Sequence, residues 1–215
     1  MRKYDYILFD LDGTLTDSYE GITRSVQHAL RYWGIEREQE QLRYFIGPPL
    51  TDAFRREFAV SEEQAVEMVS RYREYYAVRG IFENRVYDGI PELLANLKKA
   101  GCKLILATSK PEVFAKKILD KFELAGYFDH LAGCELDGRR MKKDEVIRWA
   151  QENYPFDPAR AVMIGDREHD VLGAAKCGLP CIGVLWGYGS REELSENGAI
   201  AIAEDVQSLE RLLID

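Results

Sequence analysis

Short apolar runs of strand length alternate with amphipathic segments of helix length along most of this 215-residue chain, and that alternation constrains its fold most. It is the pattern of a mainly parallel sheet flanked by crossover helices, so the core is expected to be α/β. The strand-like runs are Tyr6 to Phe9, Lys103 to Ala107, Leu131 to Cys134, Ala161 to Ile164 and Cys181 to Leu185, with a weaker one near Ala199 to Ala203. Helices are expected to start near Ile90, Pro111, Lys143, Asp170, Ser190 and Val206.

The alternation breaks once. From Asp17 to about Gly80 no convincing strand occurs and the periodicity is helical. Asp17 and Glu20 are spaced as a capping box, Ile22, Val26, Ala29, Leu30 and Trp33 share one helical face, and Gly34 supplies a stop. Ser61 and Gln64 form a second such pair ahead of Ala65, Met68, Val69, Tyr72 and Tyr76. Gly47-Pro48-Pro49 punctuates the loop before a shorter helix containing Phe54 and Phe58. The tyrosines fit an amphipathic helix and read as packing residues rather than a ligand cage. At roughly 150 residues per domain, the length suits one core with an insertion. The expected division is a core of residues 1–16 and 81–215 and a helical insertion of residues 17–80.

Composition narrows the function. A formal charge of −8 disfavours a nucleic acid polymer as partner, although a local lysine cluster or a metal ion can still attract a small anion. No run approaches the roughly 18 apolar residues of a membrane span, and no export signal opens the chain, so a cytoplasmic location is expected. Cys102, Cys134, Cys177 and Cys181 contain no CxxC pair and read as buried free thiols. The three histidines lack zinc-ligand spacing.

Three apolar runs stop at a polar residue: Ile7-Leu8-Phe9 at Asp10, Leu104 to Ala107 at Thr108, and Val162 to Gly165 at Asp166. In an open α/β sheet, ligands bind beyond the carboxyl ends of the strands, so these side chains can converge. Asp10 and Asp12 leave the first strand together and repel each other unless a cation or a proton intervenes. With Asp166 and Asp170 they form an all-oxygen set suited to magnesium. Gly13 lets the backbone turn and approach a ligand; the same three residues also suit an ordinary turn. Thr108-Ser109-Lys110-Pro111 reads as a helix start able to receive phosphate oxygens, with a simple strand-to-helix turn as the alternative. Lys142 and Lys143 open a later helix; one of them can balance the carboxylates and a substrate's charge, although such a doublet is more commonly a solvated pair. No GxxxxGK segment occurs, and Gly187-Tyr188-Gly189 is not completed to GxGxxG.

With these residues in view, the chain resembles the haloacid dehalogenase superfamily, in particular its phosphoglycolate phosphatase-like branch, which carries a helical cap after the first strand. The resemblance rests on Asp10-Leu11-Asp12-Gly13-Thr14-Leu15, on Ala107-Thr108-Ser109-Lys110-Pro111, on Gly165-Asp166-Arg167-Glu168-His169-Asp170, and on Trp186 to Leu194. It implies a Rossmann-like, doubly wound core with a small all-helical cap. The third motif lacks the Lys-Pro pair of many relatives; Lys143, in Lys-x-Glu-Val-Ile, is the preferred match and Lys142 the alternative. Asp12, absent from haloalkanoate dehalogenases, points to phosphoryl chemistry.

The resemblance further implies a magnesium-dependent phosphatase acting on a small phosphorylated metabolite, phosphoglycolate-like or a nucleoside monophosphate. Asp10 would be the nucleophile, forming an aspartyl-phosphate, and Asp12 the acid and base. Gly13, Thr14, Thr108, Ser109 and Lys143 would hold the phosphate. Asp10, the backbone carbonyl of Asp12, Asp166 and, through water, Asp170 would hold the metal. Cap residues such as Arg24 and Gly47-Pro48-Pro49 would contact the rest of the substrate. A phosphomutase and a phospho-accepting signalling module are the competing readings.

Overall fold

The structure, a computed structural model, describes residues 2–214. They form two compact units: an α/β unit of residues up to Thr16 and from Val86 onward, and a helical unit, Asp17–Arg85. The α/β unit is a six-stranded parallel sheet of β1 (Tyr6–Phe9), β2 (Lys103–Pro111), β3 (His130–Cys134), β4 (Ala161–Gly165), β5 (Cys181–Val184) and β6 (Ala201–Ala203), ordered β3-β2-β1-β4-β5-β6. This is the Rossmann-like doubly wound order, whose direction reverses beside β1. Phe9 stands opposite Leu106 of β2 and Ile164 of β4, so Asp10, Thr108 and Asp166 all emerge beyond the same end of the sheet.

The central strands are apolar on both faces because helices cover both. Leu8, Ile105, Ala107 and Met163 pack on one side with Val146, Ile147 and Val171. Ile7, Phe9, Leu104 and Leu106 alternate with them and are equally buried. β2 departs from the expectation by continuing past Ala107 to Pro111. Its register against β3 shifts between those residues, so Thr108 to Lys110 lie in an irregular strand end rather than a helix start.

In the helical unit, α1 (Tyr19–Arg31), α2 (Leu50–Phe58) and α3 (Glu62–Tyr76) bury the faces that periodicity marks, including Ile22, Val26 and Leu30 of α1 and Met68, Tyr72 and Tyr76 of α3. Ser61 and Gln64 form the expected capping box. Asp17 and Glu20 do not: Ser18 precedes α1, while Asp17 accepts the Tyr19 N–H at 3.1 Å and pairs with Arg85 at 2.7 Å. The unit also extends past Gly80, because Gly21 donates its N–H to the Glu83 carbonyl and Arg24 pairs with the Glu83 carboxylate. Residues 81–85, expected in the core, therefore fold with the helices.

The crossover helices that matter for the site are α4 (Ile90–Lys99), α5 (Glu112–Lys121), α6 (Lys143–Asn153) and α7 (Glu168–Lys176). Pro111 caps α5 from outside, and α7 opens two residues before Asp170. The four cysteines are free. Among the described residues no helix is long and apolar enough to cross a membrane.

Candidate active site

The loop after β1 is closed by its own backbone. The N–H groups of Leu15 and Thr16 donate to the Leu11 carbonyl at 2.9 and 3.0 Å, and Gly13 donates to Thr16 at 2.8 Å. Leu11 and Leu15 are fully buried and anchor this turn, so Asp10 and Asp12 are held at the sheet end with only 5% and 8% exposure. Gly13 takes a φ of +84°, and a Cβ there would lie 2.2 Å from Asp166 Oδ2. Its glycine is required twice, by conformation and by space.

Asp166, wholly buried beyond β4, accepts the Tyr188 N–H at 2.8 Å and the Thr14 hydroxyl at 3.3 Å. Trp186 donates its indole N–H to the Thr14 carbonyl at 3.0 Å, which ties the loop after β5 to the loop after β1. Gly187 makes that approach possible: a Cβ on it would stand 2.4 Å from both the Asp166 Cβ and the Gly13 carbonyl oxygen. Asp170 sits in the first turn of α7, where its Oδ2 accepts the Arg167 N–H at 3.1 Å.

Lys143, buried at the start of α6, gathers the set. Its Nζ lies 2.9 Å from Asp10 Oδ1 and 2.8 Å from Asp170 Oδ1, and it donates to the Ala107 carbonyl at 3.0 Å. Lys142 is exposed and serves only as the residue before the helix. Lys143 is therefore the lysine at the carboxylates. A second buried ammonium, Lys110 Nζ, stands 2.8 Å from Asp12 Oδ2. Thr108 is buried and accepts the Lys110 N–H at 3.2 Å; Ser109 is half-buried beside it.

The electrostatics are those of crowded acids. Carboxylate oxygens of Asp10, Asp166 and Asp170 all lie within 4.8 Å of one another. Burial, then the charges of Asp170 and Asp10, push the Asp166 carboxyl well above the usual range. Burial also raises Asp170, partly offset by Lys143. Burial by itself would lower the Lys143 ammonium, but Asp10 and Asp170 more than reverse that and raise it. Four buried aspartates and two buried lysines line the site, and a small divalent cation with oxygen preference matches the donor set and would favour the ionised form of the crowded carboxyls. The Asp12 side chain stands apart from this trio, engaged by Lys110.

Most residues singled out in the sequence thus meet at one sheet end. Thr14 turns its hydroxyl to Asp166, the role of an orienting residue. Arg24 and Gly47-Pro48-Pro49 belong to the helical unit, where Arg24 is held by Glu20 at 2.5 Å and Glu83 at 2.7 Å. Sequence reasoning quoted Lys110, Trp186 and Tyr188 within motifs but gave none of them a task. No local signal marked Lys110, because its reach to Asp12 depends on the bulge that β3 imposes on β2.

A family model described as haloacid dehalogenase-like hydrolase matches residues 7–184. A 5'-nucleotidase of Pseudomonas aeruginosa is 47% identical, over 98% of this chain and 96% of its own length. The tyrosine-protein kinase PtkA of Mycobacterium tuberculosis is 40% identical, over 91% of this chain and 67% of its own. A crystal structure from Clostridium acetobutylicum, described as that of a predicted phosphatase, superposes with a TM-score of 0.96 at 49% identity, covering 97% of each chain.

Proposed function

Since the chain belongs to the haloacid dehalogenase-like hydrolases and is a phosphatase of that family, we propose that it is a magnesium-dependent phosphomonoesterase that works through an aspartyl-phosphate on Asp10. The observation that carries this reading is the placement of Asp10: a carboxylate at the tip of the central strand, against Lys143 and within 4.8 Å of two further buried carboxylates. The substrate is a small phosphate monoester. A nucleoside 5'-monophosphate is the first choice, because the Pseudomonas aeruginosa relative is named a 5'-nucleotidase; phosphoglycolate is the second.

Asp10, Asp166, Asp170 and the Asp12 carbonyl would hold the magnesium ion, which when bound screens the charges of nucleophile and phosphate from each other. An Asp10 oxygen attacks phosphorus as the ester P–O bond breaks, and Asp12 gives its proton to the leaving oxygen. A water molecule then attacks the phosphoryl group, the bond to Asp10 breaks, and Asp12 takes the water's proton. Thr108, the Ser109 amide and Lys143 hold the phosphoryl oxygens, where positioning and electrostatics supply most of the catalysis. Thr14 and the Tyr188 amide fix Asp166 in a single orientation. The free cysteines suit a reducing cytoplasm as the place of action.

The test is release of inorganic phosphate from a panel of nucleoside 5'-monophosphates, phosphoglycolate and sugar phosphates. Turnover is expected with Mg2+, silence after chelation, and recovery on restoring the ion. Full activity in chelator rejects the metal. Phosphate that appears only when a second acceptor is supplied, or is passed to a sugar, rejects hydrolysis in favour of a transferase.

A further inference from the structure

One buried charged group near the site has no task in that reading. Beyond Ala107, β2 takes four residues to reach Pro111 while β3 takes two to pass from Ala132 to Cys134, so Thr108 to Lys110 bulge out of the ladder. Bulges re-aim side chains, and here the Lys110 N–H turns to the Thr108 hydroxyl while its ammonium reaches Asp12 Oδ2 at 2.8 Å. The two side chains are only 5% and 11% exposed. Burying an ammonium and a carboxyl group against each other is costly and is a poor way to gain stability. The other oxygen, Asp12 Oδ1, is buried and has no hydrogen-bond partner among the described residues. A carboxyl group turns about χ2 in a broad, roughly two-fold well, and Lys110 breaks that symmetry.

We propose that Lys110 is a positioning residue that pins Oδ2 of Asp12 and thereby makes Oδ1 the atom through which protons pass. The inference rests on the acid and base reading of Asp12. In the first step the Oδ1–H bond breaks as the leaving oxygen gains an O–H bond. In the second, a water O–H bond breaks and Oδ1–H forms again. Lys110 gives up no proton in either step and touches neither phosphate nor metal. Its contribution therefore scales with how much the leaving oxygen needs a proton: an alkoxide needs one, whereas p-nitrophenolate departs almost without help.

The experiment measures kcat/KM for ethyl phosphate and p-nitrophenyl phosphate with the wild type, Lys110→Met, Lys110→Arg and Asp12→Asn. Both esters are assayed on one preparation, so their ratio is independent of the fraction folded. Lys110→Met is expected to lose about 30-fold more on ethyl phosphate than on p-nitrophenyl phosphate, within the roughly 10²- to 10⁴-fold a positioned acid supplies. Asp12→Asn should show the same bias, and Lys110→Arg, which keeps a donor in place, should return most of the ratio. If Asp12→Asn shows the bias while Lys110→Met lowers both esters equally, or if Lys110→Arg behaves like Lys110→Met, the positioning role is overturned and the acid role of Asp12 stands. If Asp12→Asn shows no bias, the acid reading itself fails and takes the inference with it.

Discussion

The two units of this protein treat charge in opposite ways. At the sheet end of the α/β unit, Asp10, Asp12, Asp166, Asp170, Lys110 and Lys143 are all buried together. In the helical unit no Asp, Glu, Lys or Arg is buried among the described residues. There the interior is apolar and aromatic, with the Phe45 and Phe54 ring centroids 4.8 Å apart and those of Tyr72 and Tyr76 5.2 Å apart. Its ion pairs run from the surface pair of Arg71 with Glu74 to the partly buried carboxylates of Asp17 and Glu83, paired with Arg85 and Arg24, and its buried Thr23 and Ser25 hydroxyls are satisfied locally by the Tyr19 and Gly21 carbonyls. A fold that serves stability alone has no reason to bury acids against one another. The contrast therefore marks one region as chemical and the other as built by packing.

The contrast can be broken at either side. Asp10→Asn is expected to lower phosphate release roughly 10⁴-fold while the circular dichroism spectrum and melting profile stay near those of the wild type; activity close to wild type removes the nucleophile. Phe54→Ala should act oppositely, lowering the unfolding free energy by about 3–5 kcal/mol in urea titrations, because it empties the centre of the aromatic cluster. Gly187→Ala forces a methyl group against Asp166. It should cost about 1–3 kcal/mol of stability and weaken Mg2+ binding in titration calorimetry, whereas an unchanged affinity would show that the loop does not hold Asp166.

Acidity gives a finer test. Asp166 and Asp170 keep their protons in the folded, metal-free chain at pH values where the unfolded chain has released them. Their contribution to stability is thus present at low pH and is lost as pH rises from the usual aspartate range through their raised values. A divalent ion needs the ionised forms, so the gain in melting temperature from Mg2+ should be larger at about pH 8 than at about pH 5. Equal gains would mean that these carboxyls do not meet the ion. Smallest of all, Arg71→Ala should barely move the melting midpoint, since its partner Glu74 is solvated.

The legible parts of the molecule are those governed by neighbours along the chain. β1 begins and ends where its apolar run does, and Ser61 caps α3 as spaced. Asp10, Thr108 and Asp166 could be placed together because strand ends of a parallel sheet converge whatever the loops between them do. The first misreadings came where a partner distant along the chain took over. Asp17 splits its carboxylate between the Tyr19 N–H and Arg85, with Ser18 rather than Asp17 next to α1, and β3 draws β2 onward to Pro111 through a bulge that a strand-to-helix turn does not anticipate.

Sequence alone determined that alternating apolar runs would stack as a parallel sheet, that a helical segment would interrupt it, and that acids would stand at the strand tips. These follow from periodicity and solvent exclusion, which act over a few residues at a time. Only the tertiary structure decided that Lys143 rather than Lys142 faces the carboxylates, that Lys110 reaches Asp12, and that Gly187 leaves room for Asp166. Those choices depend on strand register and on which charges lose their water, and both are set only when segments far apart in the chain close on one another.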